Sequence, residues 1–372
     1  MATYGYNYTE YLIINKYIIK YMQDSEINDI RMQFRGISFS GYKKTEVRNE
    51  FIKSMLNNKI ESACHWCAEL VCAGHYMDIW EIILHYTGKH IHLGNPKLAT
   101  YLEMRYNIFR NIMIQGHYTT ELQLRNNSNI RKLFAEVVAT LCISNKKHSF
   151  EPININREEE FDMTQMTERL KAPNVKFAES IFMKEDPKEL FIALNEFAYN
   201  ISIKNIRTAC YWIEWVIDFD AICTKRKQPC RCQRRPMNVE SKFQRDIIWL
   251  IWDVLLNEVK DPMLTKIMKS VLELFCIKYT TAACKKRRYL LYFAVGLLTE
   301  TVQTNIDIIT DKTILQNVIE KINGIYKEIK KNEESPNTEY LFANLDKQNT
   351  FAESVKRMEI MDSLDFVPRN VS

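Results

Sequence analysis

The sequence predicts an all-α protein made of two tandem copies of a multi-helix module, followed by a C-terminal helix and a partly disordered tail. Three observations lead there. Turn residues are scarce, with 9 glycines and 9 prolines in 372 residues, whereas a two-layer β architecture needs a turn about every ten residues. Apolar residues recur at helical spacing. In ACYWIEWVIDF, Cys210, Ile213 and Ile217 fall at i, i+3 and i+7, and Trp212, Trp215, Val216 and Phe219 widen the stripe until the helix must be buried between others. The two halves of the chain also carry matched phrases in the same order.

Residues 1–45 form an N-terminal segment whose start, MATYGYNYTEYL, is polar and aromatic and so does not read as a secretory leader. The first module covers 46–150. Its phrase KIESACHW at 59–66 returns as NIRTACYW at 205–212, so that Ile60, Ala63, Cys64 and Trp66 recur as Ile206, Ala209, Cys210 and Trp212. Further on, NPKLATYLEMRYNIFR (95–110) parallels DPMLTKIMKSVLELFC (261–276). Each opens with Asn or Asp before proline, which predicts a helix capped by that side chain with proline in its first position. Basic residues then lead into a third apolar helix in each half, NIRKLFAEVVATL and KKRRYLLYFAVGLL. A polar linker over 151–186 precedes the second module, 187–300, which holds a basic insertion at 223–236. C-terminal helices occupy 301–332, where Ile314, Val318, Ile322 and Ile325 share one face. Residues 333–372 read as a flexible tail, with MEIMDSLDFV as a short docking helix.

A composition of 46% hydrophobic and 26% charged residues is that of a globular protein, and the length allows two domains of ordinary size. Ten cysteines without a leader point to a reducing compartment where thiols stay free. No apolar stretch reaches the roughly 20 residues of a membrane span, so YLLYFAVGLL and DIIWLIWDVLL read as core helices. A membrane is therefore not an expected partner.

Charge is concentrated rather than large. The net +5 is exceeded by Lys225, Arg226, Lys227, Arg231, Arg234 and Arg235 alone, and Lys285, Lys286, Arg287 and Arg288 form a second run. Such loops meet phosphates and release counterions. The competing reading is a solvated loop, or one paired with the acidic run Glu158, Glu159 and Glu160. Cys223, Cys230 and Cys232 in the insertion make zinc the one cofactor left open, although Cys-x-Cys suits a tetrahedral site poorly and a fourth ligand such as His148 must come from elsewhere. Cys64, Cys67, Cys72 and His75 have knuckle-like spacing. One continuous helix would hold Cys64 and His75 about 16 Å apart, too far to share an ion. His85, His90, His92 and His117 read as core or surface histidines. GKHIHLGNPK lacks the phosphate-loop pattern, and no nucleophile elbow, HExxH or dinucleotide fingerprint occurs. No catalytic residue is expected.

ACYWIEWVIDFD, followed by a Lys/Arg/Cys-rich segment and RDIIWLIWDVLL, resembles a poorly characterised helical family of nucleocytoplasmic large DNA viruses. The likeness covers the whole chain and lends no functional residues. SACHWCAELVCAGHYMDIWEIILHYTGKHIHLGNPKL is similar to the C-terminal helical collar of clamp-loader-like ATPases, which implies oligomerisation without chemistry. The chain departs from that pattern in having Asn95-Pro96, two copies and no ATPase domain in front. These resemblances imply a non-enzymatic scaffold or assembly protein of a large DNA virus, binding other proteins or itself in the host cytoplasm, nucleus or virion. Trp80, Trp249 and Trp252 would be its anchors if exposed. The alternatives are a nucleic-acid-binding accessory factor in viral replication or transcription, using the 225–235 loop on DNA or RNA, and a minor virion structural protein.

Overall fold

The computed structural model describes residues 25–116, 118, 120–156, 161, 169–309 and 311–334. The polar, aromatic start, His117, the acidic run Glu158–Glu160 and the segment MEIMDSLDFV, expected to be a helix, lie outside them. The described chain falls into two units, one of residues 25–27 and 33–332 and a small one of residues 28–32 and 333–334. In the small unit the Asp29 carboxylate accepts from Arg31 Nη2 at 2.6 Å and from the Glu334 N–H at 2.9 Å. Burial opposes its charge, but these donors hold its pKa below the usual carboxylate value.

The larger unit is helical, and no strand occurs among the described residues. Two isolated bridges, Ile37 with Lys43 and Arg231 with Asp246, are its extended pairings. The first copy contains α1 (Lys44–Leu56), α2 (Ile60–Cys72), α3 (Tyr76–Tyr86), α4 (Leu98–Gln115) and α5 (Ser128–Ile143). The second contains α6 (Phe191–Ser202), α7 (Ile206–Lys225), α8 (Ile248–Glu258), α9 (Pro262–Cys276) and α10 (Arg288–Thr299), and α11 (Lys312–Lys330) follows.

The repeated phrases fold into a repeated turn. Asn58 between α1 and α2 has φ 56°, and Lys204 between α6 and α7 has φ 58°, at the same spacing that separates Ala63 from Ala209. In the first turn Lys59 N–H donates to Ser54 O at 2.9 Å; in the second Asn205 N–H donates to Asn200 O at 2.8 Å. Such a left-handed residue closes a helix by satisfying its last carbonyls. Packing repeats as well. In the first copy α2 lies on α1, α3 and α5, with α4 on α5; in the second α7 lies on α6, α8 and α10, with α9 on α10.

The copies meet through α4 and α9, and α10 also packs on the wide turn Thr87–Ile91. A Cβ at Gly88 would lie 2.7 Å from the Tyr289 carbonyl carbon, so only glycine lets α10 come this close. Although the length allows two cores, the buried side chains of both copies form one connected cluster. α11 packs across α2 and α5 with Leu315, Ile322, Tyr326 and Ile329 buried; of the face expected from the sequence only Ile322 is fully buried, and Ile314, Val318 and Ile325 are half-buried at its edge.

Helix starts divide the copies. Asp261 caps α9 by accepting from Leu264 N–H at 2.8 Å, with Pro262 in the first turn. The matching expectation for Asn95 is corrected. α4 begins only at Leu98 without a side-chain cap, and buried Asn95 turns its Nδ2 toward Ile308 O at 3.4 Å. Its docking against the chain after α10 takes the side chain away from the helix end.

Trp80, Trp249 and Trp252 are fully buried and therefore pack the core rather than anchor a partner; truncating such a side chain costs about 3–5 kcal/mol. All ten cysteines are free. α2 runs unbroken through Cys64, Cys67 and Cys72, and burial raises all three thiol pKa values. Residues 169–186, within the expected linker, are tied to α6. Glu196 accepts from the Lys171 and Ala172 N–H groups, and Asn195 accepts from that of Phe177. No described helix is long and apolar enough to cross a membrane.

Candidate nucleic-acid interface

The 285–288 run shows how a string of cations is sorted by a helical turn. Ala283 and Cys284 begin a one-turn helix and face the core. Three to four residues on, Arg287 faces inward again, while Lys285 and Lys286 point to solvent. Buried Arg287 pairs with Glu81 of α3 and donates to Phe275 O at 2.6 Å. Arg288 is half-buried, donating from Nε to Lys285 O at 3.0 Å, with Glu214 of α7 3.4 Å away.

The insertion is sorted in the same way. Arg235, 1% exposed, sits between Asp186 (2.6 Å) and Asp253 (2.8 Å). Cys232 N–H and Arg235 N–H donate to Arg245 O and Gln244 O, both at 2.9 Å, which ties the loop to the approach to α8. Arg231 pairs with Asp246, and exposed Arg234 donates to Gln244 Oε1 at 2.7 Å. Arg235 and Arg287 thus cannot meet a ligand in solvent, which corrects both as candidate contacts. Buried cations persist only where carboxylates compensate their lost hydration, and each found such a partner. Lys225, Arg226, Lys227, Arg234, Lys285 and Lys286 remain exposed.

Two of these cations, Lys285 and Lys286, line a joint. A cleft of about 460 Å³ lies between the copies, walled by Lys44 and Arg48 of α1, His85 of α3, and Lys285, Lys286 and Arg288. Its carboxylates are already engaged: Asp78 with Lys44 at 2.6 Å, and Glu81 with Arg287. Arg48, Lys285 and Lys286 make no ion pair among the described residues, although the charge of Lys285 favours the buried Glu214 carboxylate. No side chain caps the start of α1 or of α10, so the partial positive charge of both helix ends adds to the field. Burial, then Arg48, His90 and Lys89, lower His85 to a pKa of about 4, leaving its ring neutral at neutral pH. It stands edge-on to Tyr289.

A second cleft of about 550 Å³ adjoins the first, and Lys285 lines both. Thr224, just before the Lys225–Lys227 run, lines its other side with Asp218 and Asp220. Asp246 at its floor is saturated, accepting from Arg231, from Tyr279 OH at 3.1 Å and from Thr281 Oγ1 at 2.7 Å. Burial and the Asp246 charge raise Asp220 to a pKa of about 6, against the pull of Arg231. Lys44, Arg48 and Asp220 escape sequence reading because each is an isolated charge on an ordinary helix. Tertiary packing alone sets them beside Lys285.

Cys223 and Cys230 lie near one another, while the other candidate zinc ligands have partners of their own. Buried Cys232 directs its Sγ to Asp246 O at 3.3 Å, and His148 faces His90, Nδ1 to Nδ1, at 3.1 Å. Cys223 and Cys230 are half-buried, and burial, then Cys223, push the Cys230 thiol up to about 12. Among the described residues no three or more His, Cys, Asp or Glu side chains are arranged to hold a metal.

Comparison with protein-family models, with curated proteins and with solved structures gives no match.

Proposed function

We propose that this protein binds nucleic acid through its phosphate backbone, across the joint between the two helical copies. The observation that carries this reading is the position of Lys285, shared by two adjoining clefts. In the first cleft it stands with Lys286 and with Arg48, a cation far away in the chain, and the second cleft reaches Thr224, the residue before the exposed run Lys225–Lys227. Arg48, Lys285 and Lys286 make no ion pair among the described residues, so binding a phosphate there leaves existing pairs intact and releases its counterions.

Recognition is independent of base sequence. The aromatic ring in the first cleft, Tyr289, is buried and offers no face for a base to stack on, whereas sequence is read through base edges and stacking. Phosphate contacts fix position without carrying sequence information.

The test is fluorescence anisotropy with labelled single- and double-stranded DNA of several sequences. With about four phosphates neutralised, affinity falls about 10²-fold between about 50 and 200 mM salt. The triple variant Arg48→Ser, Lys285→Ser, Lys286→Ser flattens that dependence and weakens binding to all sequences alike. Absence of binding at low salt, or binding that the triple variant leaves intact, refutes the proposal.

A further inference from the structure

We infer that the second cleft, beside α7, binds an organic cation, a primary amine carried on an apolar body, with Asp220 as its counter-ion. One face of α7 makes the near wall. Val216, Ile217, Asp220, Ala221 and Thr224 line the cleft, and at about 100° per residue they fall within a sector of about 140°. Ile247 and Ile248, where α8 begins, stand on the other side. A volume of about 550 Å³ is that of a site for a small organic molecule, in which apolar walls hold the body and a few polar groups fix its orientation.

Charge decides what the cleft accepts. Three carboxylates border it, and two are already engaged. Asp246 accepts from Arg231, from Tyr279 OH and from Thr281 Oγ1, and Asp218 is not free either. Half-buried Asp220 makes no hydrogen bond or ion pair among the described residues. Arg231, the cation whose charge it feels, is bound to Asp246 instead. Burial and the Asp246 charge both disfavour its ionised form, and a cation brought into the cleft relieves that disadvantage. Lys285, on the rim shared with the first cleft, favours the buried Glu214 carboxylate. A phosphate entering here would meet the unpaired charge of Asp220. A divalent metal takes about six or more oxygen ligands and would find one free carboxylate. An ammonium group needs only that one, while its apolar body covers the valine and isoleucines of the walls.

The measurement contains no nucleic acid, so this inference and phosphate-backbone binding stand or fall separately. The probe is dansylcadaverine, a fluorescent primary amine on an apolar body. Its control is the N-acetylated form, which keeps the body and loses the charge. The full chain is titrated at a pH of about 8, where Asp220 is ionised and the amine protonated. The amine binds saturably, and about tenfold or more tighter than the acetylated control. Asp220→Asn keeps the shape of the side chain, weakens the amine by about tenfold or more and leaves the control unchanged. Ala221→Phe, at an exposed position on the same wall, fills the cleft and weakens both probes. Both variants still unfold cooperatively on heating, which separates loss of the site from loss of the fold. The triple variant Arg48→Ser, Lys285→Ser, Lys286→Ser binds the amine at least as tightly as the wild type. Absence of saturable binding overturns the inference. So do equal affinities for the two probes, an amine affinity that Asp220→Asn leaves unchanged, or binding indifferent to Ala221→Phe.

Discussion

The two copies share a turn, a helix order and a packing scheme, yet only the second keeps the predicted start of its fourth helix. Asp261 caps α9, whereas Asn95, at the matching place before proline, is turned away toward Ile308. The second copy also carries an insertion held down by Arg235 between Asp186 and Asp253. The difference shows how a duplicated module diverges. The elements that bury apolar surface are kept in both copies, while caps and charges are reassigned to whatever each copy touches.

The largest expected effect breaks the second copy alone. Arg235→Ala leaves the fully buried Asp186 without its cation, and loss of one partner of such a buried pair costs about 3–5 kcal/mol. The neighbouring Lys225→Ser, at an exposed position, changes stability by about 0.5 kcal/mol or less. Urea denaturation of the two variants measures the contrast; equal effects would mean that the insertion is an ordinary solvated loop. A smaller effect sharpens the divergence in capping. Asp261→Ala costs about 1 kcal/mol by exposing an unpaired helix-end N–H, and Asp261→Asn recovers most of it. A loss that Asn fails to recover would place the role of Asp261 outside capping.

A third effect is a pH dependence confined to the second cleft. Asp220 has a folded pKa raised from 3.8 to about 6 by burial and the Asp246 charge. A carboxyl with a raised folded pKa binds its proton more tightly in the native state, so native stability falls as pH rises through that interval and is flat above it. Asp220→Asn removes that loss. Its melting temperature exceeds that of the wild type above a pH of about 6, and the gap closes as pH falls toward the unfolded value. A gap that stays constant across this window would show that Asp220 is charged throughout.

Much of the fold was legible because it depends on local spacing. The stripe Ile314, Val318, Ile322 announces α11, and the shared Ala63/Ala209 and Cys64/Cys210 announce the duplicated helix pair. The candidate site was legible only in part. A run of basic residues reveals how much charge a segment holds but not which way each side chain points. Within 285–288 the helical turn sends two lysines out and one arginine in. The inward place suits arginine, whose planar fork satisfies several acceptors at once; Arg287 reaches both Glu81 and Phe275 O. Trp249 and Trp252 lie in DIIWLIWDVLL, whose unbroken apolar run already reads as core, whereas Trp80 stands between Ile79 and Glu81 and its burial is set by packing.

By itself, the amino-acid sequence determined the helical character, the tandem repeat and the amphipathic C-terminal helix, because periodicity and turn chemistry act over a few residues. Tertiary structure alone decided that the copies share one core, that Arg235 and Arg287 are structural, and that Arg48 joins Lys285 and Lys286 in one cleft. Those outcomes depend on which helices meet, and meeting is a property of the packed surfaces of the whole chain rather than of any one segment.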